Sequence, residues 1–262
     1  MFQPVLPASG LTGWKLLEST MAAQTRAFEA SPRMQRDTAY FEDRINTITT
    51  AGELVSDRRL LRVALGAFGL GDDINNRHFV QQVLESRADD GRSLANSLSD
   101  SRYRQLNRAF GFGDPATGPR TGTPGFGAEI TAQFRARSFE IAVGRQDDSL
   151  RLALNAQREL ATIAGSAASE SEAWFRVLGT PPLREVFETA FGLPDGFGRL
   201  DIDRQQREFR ALARERFGVT SFSDFSGSGA RDKVVETYLL RDQVSARALQ
   251  TPQAIALSLL RA

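Results

Sequence analysis

Apolar side chains recur along nearly the whole chain every three or four residues, the spacing that lines one face of an α-helix. No segment shows the alternation of apolar and polar residues that is typical of a half-buried strand. The pattern predicts helices over 14–30, 36–50, 57–68, 74–87, 99–110, 129–143, 148–164, 170–177, 181–191, 203–217 and 230–240, with a last apolar stretch over 255–260. We therefore expect an all-α protein in which short connections join antiparallel helices.

Three of these helices end in the same short motif, and a residue suited to cap a helix stands twelve positions before each motif glycine. The motifs are Ala67-Phe68-Gly69-Leu70, Ala109-Phe110-Gly111-Phe112 and Ala190-Phe191-Gly192-Leu193. The capping residues are Asp57, Ser99 and Thr180, and Thr180 is followed by Pro181, which is favoured at the first helical position. A left-handed glycine can end each helix and let the next apolar residue fold back. The motifs predict core helices with a defined start and stop.

A segment rich in glycine and proline, 111–127, separates two parts of the chain that look related. Arg26-Ala27-Phe28-Glu29 before it is echoed by Arg137-Ser138-Phe139-Glu140 after it. The segment is typical of a linker or a long surface loop. We therefore predict an internal duplication, with a first helical unit over 1–110 and a second over 128–262, packed as one body or as two lobes.

Composition narrows the classes of function. The chain has 262 residues, a net charge of +1 and 25% charged residues, ordinary values for a soluble globular protein without an overall field for nucleic acid. It has no cysteine and one histidine, which excludes cysteine and multi-histidine metal sites. No apolar run is long enough to insert into a membrane, and residues 1–10 do not resemble a Sec signal peptide. We expect no cofactor and a cytoplasmic protein by default, with export through a flagellar-type apparatus left open.

No catalytic, metal or nucleotide motif stands out, so the sequence favours a protein that is not an enzyme. The alternative is a hydrolase with carboxylates in a cleft between the two halves. It requires acids from distant positions to converge, for example Glu53 or Asp100 with Glu188 or Asp203.

The last residues of the chain form an apolar and almost uncharged stretch. The side chains that would face a partner are Ile255, Leu257, Leu259 and Leu260. Either the protein's own core or the groove of a partner must cover such a face. These four residues are our candidates for partner binding.

Several local patterns together resemble a known family. They are the related units Leu61–Leu70 and Leu183–Leu193, the pair Ser93-Leu94-Ala95-Asn96 and Asp100-Ser101-Arg102-Tyr103, and the run Leu178-Gly179-Thr180-Pro181-Pro182-Leu183-Arg184. Over essentially its whole length the chain resembles an alphaproteobacterial family, domain of unknown function 1217, whose members are often encoded in flagellar gene clusters. The resemblance implies no activity.

The segment 250–261 is also similar to the C-terminal end of flagellins, with Ala256 as an extra residue. The resemblances lead to the hypothesis of a non-enzymatic, flagellum-associated protein that binds other proteins, including flagellar subunits, or assists assembly. A cytosolic export chaperone or regulator is the second hypothesis, and the hydrolase is the third. Neither the partner nor the oligomeric state follows from the sequence.

Overall fold

The computed structural model of the chain describes residues 3–194 and 196–249, the last three of them by backbone alone. Within these ranges it contains thirteen α-helices, four 3-10 helices and no strand, which confirms the predicted all-α class. The α-helices are α1 (Gly10–Glu29), α2 (Pro32–Arg44), α3 (Ala51–Ser56), α4 (Arg58–Phe68), α5 (Arg77–Glu85), α6 (Leu94–Ser97), α7 (Ser101–Phe110), α8 (Phe126–Gly144), α9 (Asp148–Ser166), α10 (Glu170–Leu178), α11 (Pro181–Phe191), α12 (Ile202–Phe217) and α13 (Ser228–Leu249). The 3-10 helices cover Ile45–Thr47, Gly71–Asn75, Phe197–Arg199 and Phe222–Ser226.

The helix predicted over 36–50 ends earlier than expected, because a second helix starts close behind it. The chain is extended at Ile48, and Thr50 caps α3. Thr50 Oγ1 accepts a hydrogen bond from the Glu53 N–H at 3.2 Å, and Glu53 Oε2 accepts one from the Thr50 N–H at 3.1 Å. This reciprocal pair is a capping box. Helices α3 and α6 were not predicted, since six and four residues are too few to show a period.

Of the three predicted capping residues, Asp57 is confirmed. Its Oδ1 accepts hydrogen bonds from the N–H groups of Arg59 at 2.8 Å and Leu60 at 3.1 Å, at the start of α4. The same carboxylate accepts the hydroxyl of Tyr40 at 2.6 Å. Asp57 therefore both starts α4 and ties it to α2.

Of the other two predicted caps, Ser99 is wrong, and Thr180 has the predicted N-cap position without a capping hydrogen bond from its side chain. The N-cap of α7 is Asp100 and not Ser99, since Asp100 Oδ1 accepts the Arg102 N–H at 3.0 Å and a carboxylate also suits the positive end of the helix dipole. Thr180 occupies the N-cap position of α11, but its hydroxyl donates to the Arg176 carbonyl at 2.7 Å. The first two residues of α11, Pro181 and Pro182, have no N–H. The hydroxyl of Thr180 therefore finds no donor at the second helical position, where a capping side chain often accepts one.

The predicted helix stops are confirmed at all three motifs. Gly69, Gly111 and Gly192 have φ of +72°, +70° and +61°. The N–H groups of Leu70 and Leu193 each bond back at 2.9 Å to the carbonyl five residues earlier, as in a Schellman motif. After Gly111 the ending differs, because the Gly111 N–H itself bonds to the Asn107 carbonyl at 2.9 Å. A further stop at Gly218, φ +72°, ends α12.

Among the described residues the chain divides into two compact units. Unit 1 contains residues 3–4 and 21–142, and unit 2 contains residues 5–20 and 143–249. Helices α1 and α8 contribute residues to both units. The organisation predicted as 1–110, 111–127 and 128–262, and the internal duplication, stay predictions.

The centre of unit 1 is α4, which packs against α2, α3 and α7. Eight of its eleven residues are buried, from Leu60 to Phe68 with Arg62 left out. The aromatic residues of the first two motifs meet here, since the rings of Phe68 and Phe110 are 6.4 Å apart. Phe126, at the start of α8, packs edge-on against Phe110 at 5.2 Å. The first two motifs therefore form part of one apolar core.

Buried polar contacts hold both the helix before the glycine- and proline-rich segment 111–127 and the segment itself. Asn107 lies on α7, just before the segment, and is 1% exposed. Its side-chain N–H groups are shared among the carbonyls of Val83, Leu84 and Ser86, which lie 2.8, 3.1 and 2.8 Å from Nδ2, and so complete the end of α5. Thr121 Oγ1 donates to the Ile48 carbonyl at 2.5 Å. The segment stays non-helical until α8 begins at Phe126.

An aromatic cluster lies at the centre of unit 2. The ring of Phe187 is 5.8 Å from Trp174, 5.4 Å from Phe191 and 5.8 Å from Phe209. All four side chains are at most 1% exposed. Helices α9, α11 and α13 pack against one another around this unit. The cluster fixes α11, and α11 in turn positions the third motif beside α13.

Candidate protein-docking groove

A shallow groove of about 640 Å³ lies in unit 2 where the C-terminal half of α11 runs beside α13. Its lining combines apolar and charged side chains. The lining residues are Glu185, Glu188, Thr189, Gly192, Leu193, Pro194, Leu240, Arg241, Val244 and Ser245. Leu240 is 49% exposed and Val244 is 68% exposed, and they stand one helical turn apart on α13. Two large apolar side chains therefore share one open face.

The third repeated motif shapes the groove. Gly192 ends α11, and Leu193 and Pro194 carry the chain along its edge. A Cβ atom on Gly192 would lie 2.0 Å from Arg241 Nη1, so the missing side chain makes room for this guanidinium. The glycine predicted to stop a helix thus also lets Arg241 of α13 approach the end of α11.

Acidic side chains give the groove a negative environment. Partial desolvation of the carboxyl raises the pKa of Glu185, and the negative charges of Asp148, Asp242 and Glu188 raise it further, while Arg151 lowers it. Asp242 Oδ2 accepts a hydrogen bond from Ser149 Oγ at 2.6 Å. The carboxyl of Glu185 is therefore harder to ionise than an ordinary glutamate, although the residue is exposed.

Tyr238 lies beneath the same acidic side chains and is 2% exposed. Burial is the main reason that its pKa lies above the usual tyrosine value, and the negative charge of Asp242 adds to the effect. The phenol therefore stays neutral over the physiological range.

A chain of polar contacts holds the other lining acid. Glu188 Oε1 accepts a hydrogen bond from Arg184 Nε at 2.8 Å, and Arg184 Nη2 donates to Gln205 Oε1 at 2.9 Å. Gln205 Nε2 donates to the Leu200 carbonyl at 2.7 Å. Arg184 thus joins α11 to the start of α12 and at the same time holds the Glu188 carboxylate.

The predicted site residues fall into two groups. Most structural residues of the motifs belong to the core, and those that are buried are Ala67, Phe68, Leu70, Phe110, Gly111, Thr180, Ala190 and Phe191. The predicted partner-binding residues Ile255, Leu257, Leu259 and Leu260 lie outside the described residues.

The acids proposed for hydrolysis cap helices, lie in a first helical turn or form ion pairs with nearby arginines. Glu53 closes the capping box of α3, Asp100 caps α7 and pairs with Arg102 Nη2 at 2.7 Å, and Glu188 pairs with Arg184. Asp203 lies in the first turn of α12, where a negative charge suits the helix dipole. No group of three or more potential metal ligands occurs in the described part of the chain.

The α13 side of the groove was not predicted from the sequence. The helix predicted to end at residue 240 continues to Leu249, so Val244 joins Leu240 on the same face. The spacing of these two residues is visible in the sequence, but the approach of Arg241 to Gly192 depends on packing between distant segments. Over 3–194 and 196–249, the structure has no helix whose length and apolar character would allow it to cross a membrane.

A protein of known structure shares this fold. A crystal structure of protein AGR_C_984 from Agrobacterium tumefaciens is similar, with a TM-score of 0.72 and 23% sequence identity over 93% of this chain and 99% of that chain. At this identity the likeness shows a shared fold. Comparison with curated proteins gives no match. The family model described as Protein of unknown function (DUF1217) matches residues 67–228, which is more than half of the chain. The chain therefore belongs to the DUF1217 family.

Proposed function

We propose that this protein is a non-enzymatic interaction protein whose α11–α13 groove binds a helical segment of another protein. One observation carries the proposal: Leu240 and Val244 lie exposed side by side in a groove that Leu193 and Pro194 extend. Fully burying one such side chain contributes about 1.5–3 kcal/mol. Contiguous apolar side chains rimmed by polar ones are typical of docking surfaces.

The charges of the groove favour a partner segment with an apolar ridge and basic flanks. Glu185 and Glu188 line the groove together with one arginine, Arg241, and Asp148 and Asp242 add negative charge nearby. Lysine or arginine on the partner would lower the cost of ionising Glu185, since an opposite charge favours the charged form. Charge complementarity of this kind mainly increases specificity and the rate of association.

The setting that we propose is the flagellum, and its support is the family resemblance to proteins often encoded in flagellar gene clusters. A cytosolic export chaperone would use the same groove chemistry, but it would remain in the cell body after its partner has left. Fractionation of cells into cell bodies and isolated flagella distinguishes the two roles.

The test is quantitative capture of flagellar subunits by cross-linking and mass spectrometry. The variant Leu240→Glu with Val244→Glu places charge in the groove, and Ile202→Glu is the matched control, because Ile202 is 47% exposed on α12 outside the groove. We expect the wild-type protein and the control to capture the same subunits and the groove variant to lose them. Equal capture by all three proteins would rule out the groove as the docking site.

A second arm tests the predicted tail residues. Deletion of 254–262 removes Ile255, Leu257, Leu259 and Leu260. If these side chains bind a partner, the deletion keeps the melting temperature and loses specific subunits that the groove variant still captures. If the deletion unfolds the protein, the tail belongs to the core and not to an interface.

A further inference from the structure

The outer face of α12 carries a row of exposed arginines that is separate from the α11–α13 groove. Arg207, Arg210 and Arg214 stand at i, i+3 and i+7, which places them on one side of the helix. Ala211 lies among them and is also exposed. The small side chain leaves a gap between three long ones.

This gap belongs to a concavity of about 630 Å³ in unit 2. Its lining combines the arginines with a small apolar floor. The lining residues are Gln206, Arg207, Arg210, Ala211, Arg214, Glu215, Val219 and Thr220. Val219 reaches the floor because the chain turns back at Gly218, where the Val219 N–H bonds to the Ala213 carbonyl at 3.3 Å. The stop of α12 therefore helps to form the concavity.

Several hydrogen-bond donors in the concavity have no partner among the described residues. Gln206 is only 8% exposed, and its side-chain amide makes no hydrogen bond to any of them. Within the same part of the chain, Arg207 and Arg214 make neither an ion pair nor a side-chain hydrogen bond. The amide atoms of Gln206 are not fully buried, so its N–H groups, like those of the two guanidinium groups, are accessible to a ligand.

The third arginine has only a distant acid. Arg210 Nε lies 3.9 Å from Glu170 Oε1. That carboxylate already accepts the Trp174 indole N–H at 3.0 Å and the Phe222 N–H at 2.8 Å. Glu170 is therefore committed to holding α10 against the segment after α12, and the guanidinium of Arg210 keeps donors for a ligand.

We propose that this concavity, the α12 arginine site, binds an acidic helical peptide segment of a partner protein through its carboxylates. Guanidinium groups match the planar carboxylate with two parallel hydrogen bonds, and the amide of Gln206 supplies a further donor. The floor of Ala211 and Val219 accepts a small apolar side chain between the acids.

The spacing of the arginines defines the partner. Arg207 and Arg214 are seven residues apart, which on a helix is two turns, or about 10.5 Å. A partner helix with glutamates at i, i+3 and i+7 and leucine or alanine between them presents its carboxylates over the same length.

The site lacks features that are expected of a nucleic-acid site. The net charge of +1 gives no wider field to hold the densely charged phosphate backbone of a nucleic acid. The lining contains no aromatic side chain on which a base could stack. These observations favour a protein segment over a nucleic acid.

The experiment uses the full-length protein and a fluorescent synthetic peptide of four helical turns with glutamates at i, i+3 and i+7 around leucine. Binding is followed by anisotropy at low and high salt. We expect saturable binding that weakens with salt, and a loss of at least ~10-fold in affinity for Arg207→Glu with Arg214→Glu, which corresponds to about 1.4 kcal/mol. Arg77→Glu with Arg108→Glu is the matched control, since both arginines are exposed on other helices.

A second variant tests shape without changing charge. Ala211→Trp fills the gap between the arginines and should weaken binding to a similar extent while the circular dichroism stays helical. A peptide of the same composition in scrambled order should bind at least ~10-fold more weakly. The proposal fails if the scrambled peptide binds equally, if the control variant loses binding as well, or if an oligonucleotide displaces the peptide at lower concentration than unlabelled peptide does.

Binding of the acidic peptide at the α12 arginine site does not depend on whether the α11–α13 groove binds a partner. The variant Leu240→Glu with Val244→Glu keeps the α12 arginine site intact and should bind the acidic peptide normally. Loss of flagellar subunits in that variant with retained peptide binding would assign two separate surfaces to unit 2.

Discussion

A single carboxyl group in the groove illustrates how packing changes the chemistry of a residue. Glu185 lies among Asp148, Asp242 and Glu188, and burial together with these charges raises its pKa. The folded protein therefore holds the Glu185 proton more tightly than the unfolded chain does. Its contribution to stability is fully present below the ordinary glutamate pKa of 4.5 and is lost as the pH rises through the raised pKa.

The variant Glu185→Gln removes the charge but keeps the shape of the side chain. We expect it to melt at a higher temperature than the wild type at neutral pH, because the wild type must ionise Glu185 beside other acids. The difference should disappear below pH 4.5, where both side chains are neutral. Thermal melts across this range measure it, with exposed Glu208→Gln as the control. A difference that is constant with pH would contradict this explanation.

Single helices in this chain are defined mainly by their ends. Asp57 and Asp100 start α4 and α7 with carboxylate caps, and left-handed glycines end α4, α7, α11 and α12. These glycines are not equivalent, however. A Cβ on Gly111 would lie 2.6 Å from the Gly118 carbonyl oxygen, whereas one on Gly218 would meet no atom within 4 Å.

The variants Gly111→Ala and Gly218→Ala separate backbone strain from steric conflict. Both place alanine in the left-handed region, which costs about 1–2 kcal/mol. Gly111→Ala should lose about 1–3 kcal/mol more, because the loop that returns at Gly118 has to move. Urea denaturation of the two variants gives the comparison. Equal losses would mean that the loop yields without cost.

The ends and the type of most helices could be predicted from sequence because both depend on local signals. Helix α11 was predicted with its observed bounds, since Pro181 marks its start and Gly192 its stop. The prediction of Ser99 as a cap is wrong by one residue, because it extends the fixed spacing from the motif to a helix that starts one residue later. The contact of Asn107 Nδ2 with three carbonyl oxygens left no sequence signal, because these acceptors lie at the end of another helix.

Across the entire chain, each compact unit has its own aromatic core, and membership of a unit does not follow sequence order. Residues 5–20 join unit 2, although 21–142 belong to unit 1. Local periodicity contains no information about this assignment, which depends on side chains that meet across long sequence separations. The groove could not be predicted for the same reason. Its two walls, α11 and α13, are separated in sequence by α12 and the connections on either side of it.

The aromatic cluster makes the stability of unit 2 sensitive to one residue. Phe187 contacts Trp174, Phe191 and Phe209, so Phe187→Ala would leave a cavity at the centre of the unit. We expect a loss of about 3–5 kcal/mol. Ile202→Ala is the control on an exposed position and should stay within about 0.5 kcal/mol of the wild type. Urea denaturation followed by circular dichroism would reveal a smaller loss if the neighbouring rings close the cavity.

The positions of the two tryptophans make unit 2 optically distinct. Trp14 and Trp174 are 2% and 0% exposed, and both belong to unit 2. Intrinsic tryptophan emission should therefore be blue-shifted and should report on the solvation of that unit. The groove and the α12 arginine site lie in the same unit, so a partner that alters either surface can be followed by fluorescence without a dye. Because the chain has no cysteine, one introduced thiol would give unit 1 a label of a second colour.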